Sequence, residues 1–344
     1  MLSISDFSRK PIKVAYVLED TGISGGVRVV FDHVRVLNRS RIFWAVVVSP
    51  GSYPSWLEYN IPFVQTPYQE ADLSDADVVV TTFFLQADLF FMWPSKVFLH
   101  LCQGYEADYV DDLGVPERRR EIEAFYRLRY PKMTVTRHLK SRLEGITEAP
   151  VLFVGQPFDA ERYREIGEGD DTGKDAILII GSFRYPFKGV RESLQVAAAL
   201  KRVFPSLRVV RVATEDTREE ERGMWDEFWI RVPPKDMPWF FRRAKLLIHM
   251  AYKEGFGLPL LEAMASGIPV VARDIPVFRE VCGEGYPLCK DEEEAFLFAV
   301  ELLSNEGLYR EVRERGFVRV RDFGMLPFCR RLFAAMFTAL RFGR

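Results

Sequence analysis

Residues 252–274, YKEGFGLPLLEAMASGIPVVARD, constrain this chain more than any other stretch. Just ahead of them residues 244–250 (AKLLIHM) form an apolar run of strand length, and residues 268–272 (IPVVA) form a second. The segment between has the marks of a helix with a glycine loop before it. Gly255 and Gly257 let backbone come close to a ligand, Pro259 sits where a first-turn proline is tolerated, and Gly267 closes the C-terminus. Strand, glycine loop, helix and strand make one unit of a parallel α/β sheet. A helix opened this way leaves N–H groups unpaired at the positive end of its dipole, so an anion such as phosphate is stabilised there.

Two carboxylates flank that anion site: Glu254 in the loop and Glu262 on the helix. Carboxylates accept hydroxyl hydrogen bonds well, so a ligand with phosphates in its middle and polyhydroxylated rings at both ends would use amides and glutamates together. A nucleotide-sugar has that shape. Two glutamates at this spacing also fit an ordinary βαβ unit with a solvated face, and the residues around them decide the matter. EGFGLPLLEAMASGIPVVA closely resembles the signature of retaining glycosyltransferase family 4, whose members have the two-domain GT-B architecture. The resemblance implies two Rossmann-like doubly wound domains facing a cleft, and a retaining transfer of a sugar from a nucleotide donor to an acceptor hydroxyl. It is strong over residues 252–274, moderate around Lys188 and weak in the N-terminal half.

Bulk properties agree with that frame. A chain of 344 residues exceeds the usual size of one core, and 48% hydrophobic content supports two. The net charge of −2 carries no global signal for nucleic acid. The N-terminal sequence has no apolar h-region, and no stretch reads as a membrane span free of charge, so the expected location is cytoplasmic, at the inner face of the membrane. Cys102, Cys282, Cys289 and Cys329 lack metal or redox spacing and read as reduced packing thiols. The Asp75-Ala76-Asp77 triplet precedes its strand, whereas ligands of open α/β sheets bind beyond the carboxyl ends, so it is rejected as a metal site.

In the N-terminal half, residues 13–18 read as the first strand, followed by EDTGISGG and a helix patterned on Val27, Val30, Val34 and Leu37. Gly25 and Gly26 open that helix, but GISGG lacks GxGxxG spacing, which disfavours a dinucleotide dehydrogenase. Taken alone, such glycines make a turn; the family resemblance implies that they approach the donor phosphates. Further strands are expected at residues 43–48, 77–81 and 97–101. The loop after the last of these, CQGYEADY, carries Gln103 where many family members have a histidine that touches the transferred sugar. Glutamine can hydrogen-bond a hydroxyl but cannot act as a base. The QGYE stretch is similar to members that build rhamnose-rich bacterial surface glycans. His100 reads as packed. Residues 116–129 form a basic amphipathic pattern extended by Lys132, either a solvated face or, across 116–132, a surface for peripheral membrane contact.

The C-terminal half starts after VLFVGQPFD (151–159), with EGDDTGKD as a polar break and AILIIGSFRYPFKGV opening a second doubly wound pattern. The resemblance implies domains at 1–157 on the acceptor side and 158–325 on the donor side, with 326–344 as a helix crossing back to the first. Strands are expected at 207–213 and 228–232, and helices at 291–305 and 308–321. The resemblance assigns Lys188 to the leaving diphosphate, with Arg184 standing in for an arginine that relatives carry elsewhere. It gives the amides of Gly255, Phe256, Gly257 and Leu258 to the phosphates, Glu262 to the ribose and Glu254 to the sugar. No metal and no cofactor is expected, the nucleotide-sugar being a substrate and a glycan or lipid-linked molecule its acceptor. The alternative reading is a glycan- or nucleotide-sugar-binding protein with a weakened site on the same scaffold. A sugar-nucleotide epimerase would share the fold without the two-glutamate context.

Overall fold

The computed structural model describes residues 10–164, 174–217 and 219–343. The polar break at 168–175 falls almost wholly outside them. Chain order in the first half is β1 (Ile12–Val17), α1 (Gly25–Arg39), β2 (Phe43–Ser49), β3 (Phe63–Gln65), β4 (Val78–Thr81), α2 (Asp88–Met92), β5 (Val97–Cys102), α3 (Arg119–Arg127), β6 (Lys132–Thr134), α4 (Arg137–Glu144) and β7 (Val151–Phe153). After α5 (Glu161–Arg164) come β8 (Ala176–Ile180), α6 (Val190–Val203), β9 (Arg208–Ala213), β10 (Glu227–Ile230), α7 (Met237–Arg243), β11 (Ala244–His249), α8 (Leu258–Ala265) and β12 (Val270–Ala272). The chain ends with α9 (Pro276–Cys282), α10 (Glu292–Ser304), α11 (Glu306–Val320) and α12 (Met325–Phe342).

The strands form two separate parallel sheets, β3-β2-β1-β4-β5-β6-β7 and β10-β9-β8-β11-β12. Each reverses direction of winding beside its first strand, between β1 and β4 and between β8 and β11. Such switch points leave a crevice beyond the strands' carboxyl ends. Tyr16 of β1 pairs with Val47 of β2 and Val80 of β4, and all three are fully buried. In the second sheet Leu178 of β8 pairs with Val210 of β9 and Leu247 of β11. These strands are covered on both faces, which is why they read as continuous apolar runs.

Capping explains where the site helices begin. Ser24 accepts the Val27 N–H at 3.1 Å and opens α1, whose Val27, Val30, Val34 and Leu37 are buried as their spacing predicts. Gly257, at φ +93°, opens α8 with Pro259 in its first turn.

The basic stretch departs from expectation. Pro116–Arg118 is a 3₁₀ turn, α3 ends at Arg127, and Lys132 belongs to β6. Lys132 is fully buried, its Nζ donating to the Leu128 and Tyr130 carbonyls at 2.9 and 3.0 Å, so it is no part of a basic surface. Pro131 bars a continuing helix and turns the chain into the strand. Arg118, Arg119 and Arg127 are paired with Glu121, Asp111 and Glu123, which neutralises much of the remaining basic face.

At the other end α12 crosses to the first sheet. Phe328 lies 5.0 Å from the His33 ring, Phe333 and Phe337 flank Phe43, and Arg331 Nε donates to the Val154 carbonyl at 2.9 Å. The stretch Glu306–Phe342, which includes α12, contains a window long and apolar enough by composition to cross a membrane, with a mean hydropathy of 1.3. Within the fold α12 buries Phe328, Leu332, Ala335, Met336 and Ala339, one stripe at helical spacing.

Candidate active site

A cleft of about 420 Å³ opens between the carboxyl ends of the two sheets. The first unit lines it with Gly25, Gly26, Arg28 and Gln103, and the second with Lys188, His249 and the loop and helix from Glu254 to Glu262. The two halves touch, backbone against backbone. A side chain on Gly255 would place its Cβ 1.9 Å from the Gln103 carbonyl oxygen, so only glycine fits. Gln103 Nε2 also donates to the Gly26 carbonyl at 3.1 Å, tying the loop after β5 to the start of α1. Gly189, at φ +58°, ends the turn that carries Lys188, where a Cβ would lie 1.9 Å from the Met250 carbonyl.

Lys188 Nζ donates to Glu254 Oε2 at 2.8 Å. His249 Nε2 stands 3.7 Å from the same oxygen, and Glu254 Oε1 accepts the Gly255 N–H at 3.1 Å. Burial works to raise the Glu254 pKa, but the Lys188 ammonium and the His249 ring outweigh it and hold the carboxyl well below the usual carboxylate range. Glu262 is buried on α8, where its Oε1 accepts from Tyr163 Oη at 2.6 Å and from Arg28 Nη1 at 3.4 Å. Arg28 comes from α1 and Tyr163 from α5, so this carboxylate joins both sheet units and the chain that connects them.

The structure brings together Gly25, Gly26, Gln103, Lys188, Glu254, Gly255, Phe256, Gly257, Leu258 and Glu262. It does not bring Arg184 with them: that residue is absent from the cleft wall, and its guanidinium stands 5.8 Å from the Tyr185 ring. The second cation in the cleft is Arg28. Sequence reasoning passed over it because helical periodicity alone gives no direction to a polar residue; its place two residues after the glycine pair was the available signal. His249 was hidden inside an apolar strand run.

Three polar atoms in the cleft wall are buried and have no hydrogen-bond partner: Gln156 Oε1, Ser182 Oγ and His249 Nε2. An unsatisfied buried polar group costs about 1–3 kcal/mol, so three in one wall mark a surface shaped for a polar ligand. Among the described residues no cluster of His, Cys, Asp and Glu could hold a metal ion.

A second cavity of about 320 Å³ adjoins the first, lined by Gly104, Asp108, His138, Arg142 and Lys253 among others. Only Glu254 and Gly255 line both. Lys253 bonds the Asp108 carbonyl at 2.8 Å and pairs with Asp112, and both oxygens of Glu280 on α9 accept the Arg137 and His138 N–H groups of α4, at 2.7 and 2.9 Å.

Two Rossmann-like parallel sheets facing a cleft, with a last helix returning to the first, are the GT-B fold of glycosyltransferases. Solved structures of that fold superpose over nearly the whole chain. Sucrose-phosphate synthase from Thermosynechococcus elongatus has a TM-score of 0.73 at 14% identity, covering 94% of this chain and 99% of that one. Anabaena HepE in complex with UDP-glucose has a TM-score of 0.74 at 13% identity, with the same coverage. Residues 164–317 match the family described as glycosyl transferases group 1. Among curated relatives, the O-antigen chain mannosyltransferase B of Escherichia coli is 34% identical over 110 residues, 30% of this chain and 28% of that protein. The GDP-mannose:cellobiosyl-diphosphopolyprenol alpha-mannosyltransferase of Xanthomonas oryzae is 26% identical over 159 residues, 42% of this chain and 41% of that one. The matched segments thus span less than half the length of these relatives.

Proposed function

We propose that this chain is a retaining glycosyltransferase that moves a hexose from a nucleotide-sugar to an acceptor hydroxyl in the assembly of a bacterial polysaccharide or glycoconjugate. The observation that carries this reading is the position of Glu254, one of two residues shared by the two cavities, with Lys188 bonded to it. The larger cavity takes the donor and the smaller one the acceptor, so the transferred sugar sits where they meet. Relatives that are mannosyltransferases, one named for GDP-mannose, make a mannosyl donor the first to try.

The chemistry follows from the charges. Lys188 has three donors and can hold a diphosphate oxygen while keeping its bond to Glu254. The N–H groups of Phe256, Gly257 and Leu258, at the start of α8, supply further fixed donors where charge develops on the leaving group, the Gly255 N–H being held by Glu254. Glu262, oriented by Tyr163, offers its second oxygen to the ribose hydroxyls. Glu254 is too weak a base to take the acceptor proton, so it acts as a fixed negative charge beside the oxocarbenium-like carbon. A departing diphosphate oxygen takes that proton as the acceptor attacks from the same face. No step calls for a metal, and turnover is expected to be unchanged in EDTA; complete and reversible loss would remove this part of the proposal. Arg120 and Arg129, exposed and outside the ion pairs of the basic face, give a small site for peripheral contact with an acidic membrane carrying a lipid-linked acceptor.

Thermal shift with GDP and UDP, followed by hydrolysis of GDP-mannose and UDP-glucose, tests the reading. One nucleotide should raise Tm and its sugar should turn over. Binding without turnover would favour the weakened-site alternative instead.

A further inference from the structure

The loop that meets Gly255 is anchored by a residue the transfer chemistry leaves unused. Glu106, the glutamate of the QGYE stretch, is partly buried beneath the Gln103–Gly104 turn, and its Oε2 accepts a short hydrogen bond from Tyr126 Oη. Tyr126, fully buried on α3, also lies 3.2 Å from the Gly104 carbonyl oxygen. A phenol has one proton, and here it faces two acceptors. If Glu106 is ionised, the Tyr126 proton goes to the carboxylate and the Gly104 carbonyl loses its donor. If Glu106 is protonated, its own O–H donates to Tyr126 Oη, and the Tyr126 proton is free to hold Gly104. The chain of bonds then runs unbroken from Glu106 through Tyr126 to the backbone of the turn.

We infer that Glu106 is a positioning residue whose proton decides whether Tyr126 holds the Gly104 carbonyl, and so how firmly the Gln103–Gly104 turn is seated between the two cavities. The inference rests on the transferase reading of those cavities. Gly104 lines the smaller cavity and Gln103 the larger, where Gln103 holds Gly26 and abuts Gly255, so the turn borders both cavities. The surroundings favour a carboxyl that changes state near neutrality. Burial pushes Glu106 up to about 7, opposed by the Tyr126 bond and by backbone amides. Tyr126, Tyr130, Tyr109 and Cys102 face it, and all four are themselves pushed up by burial, so they stay neutral. The buried Lys132 acts on Cys102 behind them, and no cation is in ion-pair contact with Glu106 among the described residues.

Two measurements on wild type, Glu106→Gln and Tyr126→Phe test this. The first needs no substrate. A carboxyl near 7 in the fold and near 4.5 when unfolded binds a proton on folding between those values, so wild type loses stability relative to Glu106→Gln as pH rises from about 5 to about 7, and the difference levels off above. The second is transfer with the donor that thermal shift selects from GDP-mannose and UDP-glucose. The wild-type rate should fall as pH rises through about 7. The Gln amide can donate to Tyr126 at every pH, so Glu106→Gln should lose that fall, while Tyr126→Phe should be slow at all pH, by about tenfold in kcat with donor KM unchanged. A Tm difference independent of pH, or a Glu106→Gln profile that keeps the wild-type inflexion, overturns the inference. Nucleotide binding and turnover with a flat Tm difference would leave the transferase reading standing; a pH-dependent difference without turnover would remove that reading and leave the proton assignment.

Discussion

Glu254 and Glu262 carry the same charge yet are expected to fail differently. Glu262 is buried against Tyr163 and Arg28 and offers a contact equally present before and during reaction, so Glu262→Ala should raise donor KM by about 10–100-fold with a smaller change in kcat. Glu254 stands between the cavities, and Glu254→Ala should lower kcat by about 10²–10³ at saturating donor. Steady-state kinetics check both, and the reverse pattern would exchange the two roles. Since Lys188 and His249 hold Glu254 below the usual carboxylate range, the stability from its pairing is present above that range and is lost only as pH falls through the depressed value. Glu254 should therefore contribute no acid limb to the rate between pH 8 and 5, which a pH profile of kcat checks. The glutamates, Lys188 and the glycines were legible because each lies in a contiguous motif at the carboxyl end of a strand. Arg28 had only its place after the glycine pair as a signal, while Gln156, which lines the cleft, and Tyr163, which holds Glu262, come from elements distant in sequence, and no local pattern records that meeting.

Elements were legible in proportion to their burial. The central strands β1, β4, β5, β8, β9 and β11 announce themselves as apolar runs because both faces are covered. The short strands lie at the two edges of the larger sheet, β3 at one and β6 and β7 at the other, where three residues give too little pattern. Helix α7 was missed behind the prolines of PPKDMP, although proline is at home in a first turn. Helix α4 has a property no sequence window contains: its N-terminus is capped both by Thr136 and, from the other sheet unit, by Glu280. Glu280→Ala should cost about 1–2 kcal/mol in urea unfolding, more than a surface glutamate would, and should speed amide exchange at Arg137 and His138. Gly255→Ala tests the meeting of loops directly. Its Cβ cannot share space with the Gln103 carbonyl, so the loops must part and donor affinity should fall, as nucleotide-induced thermal shift would register.

At the scale of the molecule, acid should be the vulnerable direction. Burial pushes His33 and His100 down to about 3, Lys132 adding to the effect at His100, and both stay neutral in the fold. The unfolded chain takes up those protons near pH 6.5, so stability falls as pH drops from there toward 3. Denaturation at pH 7 and pH 5 should show the loss, and His100→Gln should reduce it. The partition into two sheets was readable from the repeated strand and helix rhythm; the apolar stripe of the last helix marked it as packed, and its return to the first sheet was implied by the family resemblance. That return sets a schedule for biosynthesis. The first sheet leaves the ribosome well before the partners of His33 and Phe43, since Phe328 and Phe333 lie about 290 residues further along the chain. At about 5–20 residues per second the first sheet waits tens of seconds with that face uncovered. A nascent chain stalled before residue 325 should therefore bind holdase chaperones and resist protease poorly, and emergence of α12 should end both.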